Sequence, residues 1–202
     1  MRRFAIVAGL FLFGVSWAAP ASAGPRVVAA KDFFFSPTPI RAPQGITVEW
    51  SNEGNFDHTA TQDDSLDLWD TGTIAPGSTA DVTLASAGTF LYHCKFHGGN
   101  GGQGMSGVVK IPTKVSPSSG KVGTTFTVTV STANAPTGFV FDVQRKVGSG
   151  SWARWKRGVT SGSLTSRPSS ASTYAFRSRV RRTSNGGASK FSPPAQITVT
   201  AA

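Results

Sequence analysis

The chain has 202 residues, 23 of them glycine, and a formal net charge of +10 at neutral pH. Its single cysteine excludes an intramolecular disulfide and any structural zinc site built on two or four cysteines. Its three histidines are too few for a multicopper oxidase or nitrite reductase, which needs several more.

The N-terminus has the pattern of a secretory signal peptide, which we assign to residues 1–23. Arg2 and Arg3 give it a positive start, an uncharged apolar stretch follows, and Ala21-Ser22-Ala23 forms a small-residue cleavage site. The apolar stretch is shorter than the ~20 residues that a membrane-spanning helix needs. We expect a secreted, extracytoplasmic protein, in the periplasm or outside the cell, without a transmembrane segment after signal cleavage.

Short alternating segments separated by Gly, Pro, Ser and Asn predict an all-β protein with two domains after the signal peptide. In the first domain, residues 24–113, a strand is expected from Ile46 to Trp50, and a helical turn fits between Asp63 and Trp69. The acidic residues of this stretch are interpreted as a solvated edge: Asp63, Asp64, Asp67 and Asp70.

The metal-binding residue types concentrate in Tyr92-His93-Cys94-Lys95-Phe96-His97, with Met105 after a glycine-rich run and His58 upstream. Two imidazoles, one thiolate and one thioether form the ligand set of a blue-copper site. One strand can deliver Cys94 and the turn after it His97 and Met105, whereas His58 must come from another loop. A role without metal stays open for each residue, since a lone cysteine, for example, is most often a small buried hydrophobe. Their joint spacing favours the metal site.

His93 is the histidine that we do not expect at the metal. Side chains alternate between the two faces of a strand. Phe90, Tyr92 and Cys94 then share one face, while Leu91 and His93 share the other, so His93 points away from the site.

Residues 25–112 resemble the plastocyanin-like branch of the cupredoxin family. The resemblance rests on four segments: Glu49-Trp50-Ser51-Asn52, His58-Thr59, Gly88 to His97, and Gly104-Met105-Ser106-Gly107. It implies a Greek-key β-sandwich with one copper ion in a type 1 site, and transfer of single electrons through that copper. One departure is the run from Gly98 to Gly104, which separates Met105 from His97 by more than the family's usual spacing.

The resemblance also implies roles for neighbours of the ligands. Thr59, directly after the first histidine, would hydrogen-bond across to the cysteine loop. His97 would reach the surface through an apolar rim that includes Phe96 and would give the electron a short exit.

The second domain, residues 114–202, begins with a Pro-Ser-Gly segment typical of the entry to an immunoglobulin-like module. Phe126, Val128 and Val130 share one strand face. Tyr174 to Arg181, the Gly186-Gly187 turn and the Phe191-Ser192-Pro193-Pro194 segment resemble fibronectin type III-like modules, so we expect an immunoglobulin-like β-sandwich.

Charge divides unequally between the two domains. Residues 24–112 hold nine acidic and five basic residues, whereas residues 113–202 hold one acid, Asp142, and thirteen bases. Three of those bases, Arg177, Arg179 and Arg181, recur at strand period on one face. They form either an ordinary solvated face or a docking surface for an anionic partner: a cell-envelope polymer, a lipid surface or an acidic redox protein. Nucleic acid is not expected, because the protein is predicted to be secreted.

The sequence thus predicts a secreted type 1 copper protein that carries single electrons to a redox partner protein, with a basic accessory domain for docking. An extracytoplasmic copper-binding protein for sequestration or delivery is the alternative. No catalytic constellation is recognised, so an enzyme is not expected.

Overall fold

The computed structural model describes residues 24–202, so the predicted signal peptide lies outside the described residues. The described chain is almost entirely β-structure, with a single 3₁₀ helix at Asp64–Leu66 inside the expected helical turn. Among these residues no helix has the length and apolar character needed to cross a membrane. The strands are β1 (Arg26–Lys31), β2 (Phe34–Ser36), β3 (Ile40–Arg41), β4 (Ile46–Asn52), β5 (Thr61–Gln62), β6 (Thr79–Leu84), β7 (Gly88–Gly99), β8 (Gln103–Ile111), β9 (Lys114–Ser116), β10 (Ser119–Lys121), β11 (Phe126–Thr129), β12 (Phe139–Val147), β13 (Ala153–Val159), β14 (Ser163–Ser166), β15 (Ser172–Arg182) and β16 (Ala195–Thr200).

The first sandwich consists of two four-stranded sheets, in the orders β2-β1-β4-β6 and β3-β8-β7-β5. Strand alternation creates its core, because every second residue of β4 is buried and so is every second residue in the first half of β7. Trp50 from one sheet packs edge-on against Tyr92 from the other, with ring centroids 5.4 Å apart. The sheets therefore hold β7, the strand of Cys94, at a fixed place against the core.

The second sandwich consists of a five-stranded sheet, β10-β16-β15-β12-β13, and a three-stranded sheet, β14-β11-β9. Phe126, Val128 and Val130 are fully buried, as their alternation predicts. The described chain confirms the predicted all-β fold class.

The link between the sandwiches is short, since β8 ends at Ile111 and β9 begins at Lys114. Thr113 between them is buried, and its Oγ1 hydrogen-bonds to Ser178 Oγ (3.0 Å) and Ser192 Oγ (2.9 Å). The change of sheet coincides with the predicted boundary at residues 113 and 114, while independent folding of the two parts stays a prediction.

Direct contacts join the two sandwiches beyond this link. Thr89 and Lys190 exchange two backbone hydrogen bonds, at 2.9 and 3.1 Å. Arg182 donates from Nε to Leu66 O (2.9 Å) and from Nη2 to Asp67 O (2.7 Å). An apolar cavity of about 260 Å³ is lined from both sides, among others by Trp69, Phe90, Pro136 and Val180.

Candidate metal centre

An irregularity in the β7–β8 ladder shapes the site. His93 pairs with Ser106, and the next paired residues are Gly98 and Gly104. The four residues from Cys94 to His97 therefore oppose Met105 alone. A bulge of this kind leaves residues unpaired and re-aims their side chains, which is how one strand turns both Cys94 and His97 toward a common point.

The glycine run after His97 forms a β-hairpin. β7 continues to Gly99, β8 begins at Gln103, and Gly98 pairs with Gly104. Gly104 has φ +58°, and a Cβ added there would lie 2.5 Å from the carbonyl oxygen of His97. Glycine is required here because the two backbones approach too closely for a side chain.

His58 comes from the loop between β4 and β5, as expected. Its backbone is fixed by a two-way bridge to Ile74, with His58 N donating at 3.1 Å and Ile74 N at 2.7 Å. Asn52 secures the same loop by donating from Nδ2 to Phe56 O and Ile74 O, both at 2.8 Å. The imidazole is thus held against the end of β7.

The structure brings His58, Cys94 and His97 together as one group. Cys94 Sγ lies 3.6 Å from His58 Nδ1 and 3.5 Å from His97 Nδ1, and the two Nδ1 atoms are 3.2 Å apart. The in-plane point equidistant from the three atoms lies about 2.0 Å from each, which matches a zinc–imidazole bond of about 2.0–2.1 Å and is about 0.3 Å shorter than a zinc–thiolate bond. The donor set and its spacing therefore fit a metal ion.

Burial distinguishes the members of this group. His58 and Cys94 are fully buried, while His97 is half-buried. Burial lowers the pKa of His58, and the neighbouring charge of His97 lowers it further. A lowered pKa keeps the imidazole neutral near pH 7, the form in which a nitrogen can bind a metal.

Thr59 makes two contacts to the cysteine loop. Its backbone N lies 3.4 Å from Cys94 Sγ, within hydrogen-bond distance of sulfur, and its Oγ1 accepts a 2.9 Å hydrogen bond from Lys95 N. The second contact confirms the cross-loop bond that the family resemblance implied. The hydroxyl also lies 3.0 Å from Thr61 Oγ1, which donates to Asp70 Oδ1 at 3.0 Å.

Met105 lies on β8 directly opposite the bulge and is 1% exposed. Its position suits an approach to the metal from the β8 side, and ligation by its sulfur stays a prediction. The glycine hairpin explains how a residue so far from His97 in sequence returns to face it.

His93 points away from the three-residue group, as the alternation predicts. Its Nδ1 lies 2.6 Å from Asp63 Oδ1, and Asp63 Oδ2 accepts a 2.7 Å hydrogen bond from Gly101 N in the glycine hairpin. The prediction of a solvated acidic edge is wrong for Asp63, which is fully buried. Composition could not show this, because its partners come from β7 and from the hairpin.

Asp67 and Asp70, two of the neighbouring acids, also have partners. Asp67 Oδ2 accepts a hydrogen bond from Arg182 Nη2 (3.0 Å), and Asp70 forms an ion pair with Lys95. Burial tends to raise the pKa of Asp70, but hydrogen bonds from Lys95, Gly72 and Thr61 together with the Lys95 charge outweigh burial, and the pKa is lowered. Within this predicted edge, Asp70 therefore joins its loop to β7, and Asp67 joins its loop to β15 of the second sandwich.

Three exposed phenylalanines surround His97. The ring centroids of Phe33, Phe56 and Phe96 lie 5.4, 6.1 and 6.2 Å from that of His97. Their exposed fractions are 63%, 50% and 55%. The sequence indicated Phe96 but missed Phe33 and Phe56. Phe56 is a large apolar residue among polar neighbours, and Phe33 is the first of three consecutive phenylalanines.

Comparison with known proteins agrees with this site. The cupredoxin-like domain family matches residues 4–105, half of the chain, a span that contains all four predicted ligands and begins within the predicted signal peptide. No match was found among curated proteins.

Solved structures provide partial likenesses. A purple cupredoxin from Nitrosopumilus maritimus is 19% identical, covering 43% of this chain and 98% of that one, with a TM-score of 0.37. A reduced Cu(I) form of an amicyanin mutant is 20% identical, covering 46% and 86%, with a TM-score of 0.38. A cytokine receptor complex is 16% identical, covering 77% and 92%, with a TM-score of 0.33. On the strength of the family match, the chain belongs to the cupredoxin-like domain family.

Proposed function

We propose that this chain is a secreted type 1 copper protein that carries single electrons. His58 Nδ1, Cys94 Sγ and His97 Nδ1 would hold one copper ion, and Met105 would provide a weak axial contact. The single observation that carries the proposal is the three-atom group, with separations of 3.2 to 3.6 Å among its donors. Copper, when bound, supplies a couple between Cu(I) and Cu(II).

The chain's contribution is to keep the donors in place. His58 is fixed through Ile74, and Cys94 is fixed by the β7–β8 ladder and the Thr59 contacts. Hydrogen bonds to a ligating sulfur tune its electronics and hence the reduction potential. A donor set that is tied from two sides moves little between oxidation states, which suits electron transfer better than catalysis, so the proposal includes no enzyme activity.

The His97 edge is the proposed electron exit to a redox partner protein. His97 is the one half-buried member of the group, and Phe33, Phe56 and Phe96 flank it with exposed apolar surface. Apolar contact at this edge would exclude water and shorten the path to a partner. The variants Phe33→Ser and Phe56→Ser should slow electron self-exchange, whereas Phe34→Ser, equally exposed but without a ring contact to His97 in the described structure, should not.

Copper sequestration or delivery is the second candidate, and the partial exposure of His97 favours it, since an incoming ligand could reach the copper there. A reversible potential with rapid self-exchange supports the electron carrier. Ready loss of copper to a competing chelator without reversible electrochemistry supports delivery instead.

The axial role of Met105 has its own test. Met105→Leu should keep the copper and raise the reduction potential, because a donor to Cu(II) is lost, and Met105→Gln should lower it. Unchanged spectra and potentials in both variants would show that the Met105 sulfur is not near the metal.

The basic second sandwich is proposed to dock the copper-binding sandwich on an anionic partner. Thirteen bases against one acid in residues 113–202 support this role. Retention of the full chain on an anionic matrix, lost at high salt, is the expected result; no retention at low salt would contradict it.

A further inference from the structure

The outer face of the five-stranded sheet carries a regular array of cations. Along β15, Phe176 and Val180 point into the core, and Arg177, Arg179 and Arg181 point outward, as the sequence predicts. Residues two apart on a strand are about 7 Å from each other. β13, two strands away, adds exposed cations at neighbouring positions: Arg154, Lys156 and Arg157.

Aromatic rings hold part of the arginine row in place. The guanidinium carbon of Arg177 lies 4.3 Å from the Trp152 ring centre and 4.7 Å from that of Phe191. Arg179 lies 5.0 Å from the same Phe191 ring. Stacking of this kind fixes the guanidinium plane. Arg177 Nε also donates to Gln144 Oε1 (2.9 Å) and Arg179 donates to Asp142, so only part of each N–H edge is left for a partner. These ring contacts restrict Arg177 and Arg179 more than full solvation would, which favours a docking surface over an ordinary solvated face.

One carboxylate offsets this array. Asp142 Oδ2 accepts hydrogen bonds from Arg179 Nη2 (3.2 Å) and Arg181 Nε (2.9 Å), and Asp142 Oδ1 accepts from Gly158 N (3.1 Å). Asp142 is the only acid in residues 113–202. Within the described chain, the β13 cations and Arg177 have no carboxylate partner.

The cations of the two strands meet in a cleft of about 250 Å³. Its polar lining is mostly basic and includes Asp142, Gln144, Arg154, Lys156, Arg157 and Arg179. A concave basic cleft that continues into a row of arginines accommodates an extended chain of negative groups.

We propose that this cleft and the arginine row bind a linear polyanion with phosphate groups along its length, which identifies the partner class of the docking role proposed above. Arginine forks match phosphate oxygens in two-point contacts. The spacing along β15 suits a repeating anion. An acidic protein is disfavoured because the aromatic rings of this face are covered by guanidinium groups and are not open as apolar anchors.

The test is the binding of the metal-free full chain to long-chain inorganic polyphosphate. Binding is measured by the fluorescence anisotropy of end-labelled polymer at several salt concentrations. The triple variant Arg154→Ser, Lys156→Ser, Arg157→Ser should weaken binding about tenfold or more, since three phosphate contacts are lost. The control triple variant Arg26→Ser, Arg41→Ser, Lys114→Ser removes the same charge from exposed positions outside the five-stranded sheet and should weaken binding less than about threefold.

Equal weakening of polyphosphate binding in both variants would contradict binding in the cleft and would show that only long-range electrostatic attraction acts. Two results would contradict the proposal of a polymeric partner. One is no salt-sensitive binding of polyphosphate to the wild type. The other is binding to anionic vesicles or to an acidic protein without binding to polyphosphate. Amide resonances of β13 and β15 should shift on titration, a readout that does not depend on the variants. Because no copper is present, failure here leaves the copper proposal standing, and loss of copper binding leaves this one standing.

Discussion

The metal end of the first sandwich and the outer face of the second use strands in opposite ways. On β7 the ladder is interrupted, and Cys94 to His97 bulge opposite Met105, so that buried donors converge on one point. On β15 the ladder is continuous from Tyr174 to Arg182, and alternate arginines project along one face. The irregular register brings several donor side chains to one point, whereas the regular register repeats a charged side chain at every second residue. Metal binding suits the first arrangement and recognition of an extended partner suits the second.

The three histidines offer the largest expected contrast. His58→Gln and His97→Gln each remove a donor from the three-atom group and should reduce copper affinity by orders of magnitude. His93→Gln should keep copper binding, because its ring faces Asp63 on the other side of β7. Equilibrium titration with a copper chelator measures all three. Similar losses of copper affinity in the three variants would contradict the placement of His93 on the strand face opposite the metal.

Removal of the second sandwich should have the next largest effect. A chain ending after Thr113 should still bind copper, because the donors all lie upstream. Its melting temperature should nevertheless be about 10 °C or more lower. The truncation removes the contacts at Thr89, Thr113 and Arg182, which are several hydrogen bonds worth about 1 kcal/mol each, and it exposes the lining of the apolar cavity to water. Thermal melts of both chains, with and without copper, measure this. An unchanged melting temperature would show that the sandwiches are energetically independent, and a soluble chain that takes up no copper would contradict separate folding.

Thr59→Val sharpens the account of the buried end. The variant keeps the shape but leaves Lys95 N without its acceptor and removes the contact to Thr61 Oγ1, which retains Asp70, so it should destabilise the metal-free protein by about 1–3 kcal/mol. Thr47→Val is the matched control, because the bond from Thr47 Oγ1 to Thr83 Oγ1 is exposed and should be worth less than about 0.5 kcal/mol. Urea unfolding compares the two, and equal effects would contradict the proposed importance of the Thr59 hydroxyl.

Asp142→Asn tests the ordered arginine row. Burial tends to raise the pKa of Asp142, but hydrogen bonds from Arg181, Gly158 and Arg179 together with the Arg181 charge outweigh burial, and the pKa is lowered from its ordinary 3.8. Because the folded-state pKa lies below the unfolded one, the stabilisation is complete above pH 3.8 and is lost as the pH falls through the folded value.

The Asp142→Asn variant should lose about 1–2 kcal/mol at neutral pH and approach the wild type in acid. Asp81→Asn is the control, an exposed acid without an ion pair in the described structure. A loss that stays constant with pH would show that the carboxylate charge is not what orders the arginines.

Local alternation predicted much of this molecule, because it depends on neighbours in sequence. It put Phe90, Tyr92 and Cys94 on one face, which the structure buries, and His93 on the opposite face. It also put the three arginines of β15 on the outer face. The family resemblance implied the Thr59 contact for a similar reason, since Thr59 adjoins His58.

The features that were missed depend on distant partners. Burial of Asp63 requires both His93 and the glycine hairpin, and the apolar rim requires Phe33 and Phe56 to meet at His97 from separate loops. The hairpin itself depends on the pairing of Gly98 with Gly104, which the glycine-rich composition of this run does not reveal. Such contacts follow from register, which a single strand does not specify.

Addition of Cu(II) to the purified chain, with visible absorption and electron paramagnetic resonance recorded on the same sample, tests the central claim most directly. The account predicts one copper per chain, an intense visible band from thiolate-to-copper charge transfer, and loss of that band in Cys94→Ser. A copper-loaded wild type that is colourless, or a band that survives in Cys94→Ser, would contradict it.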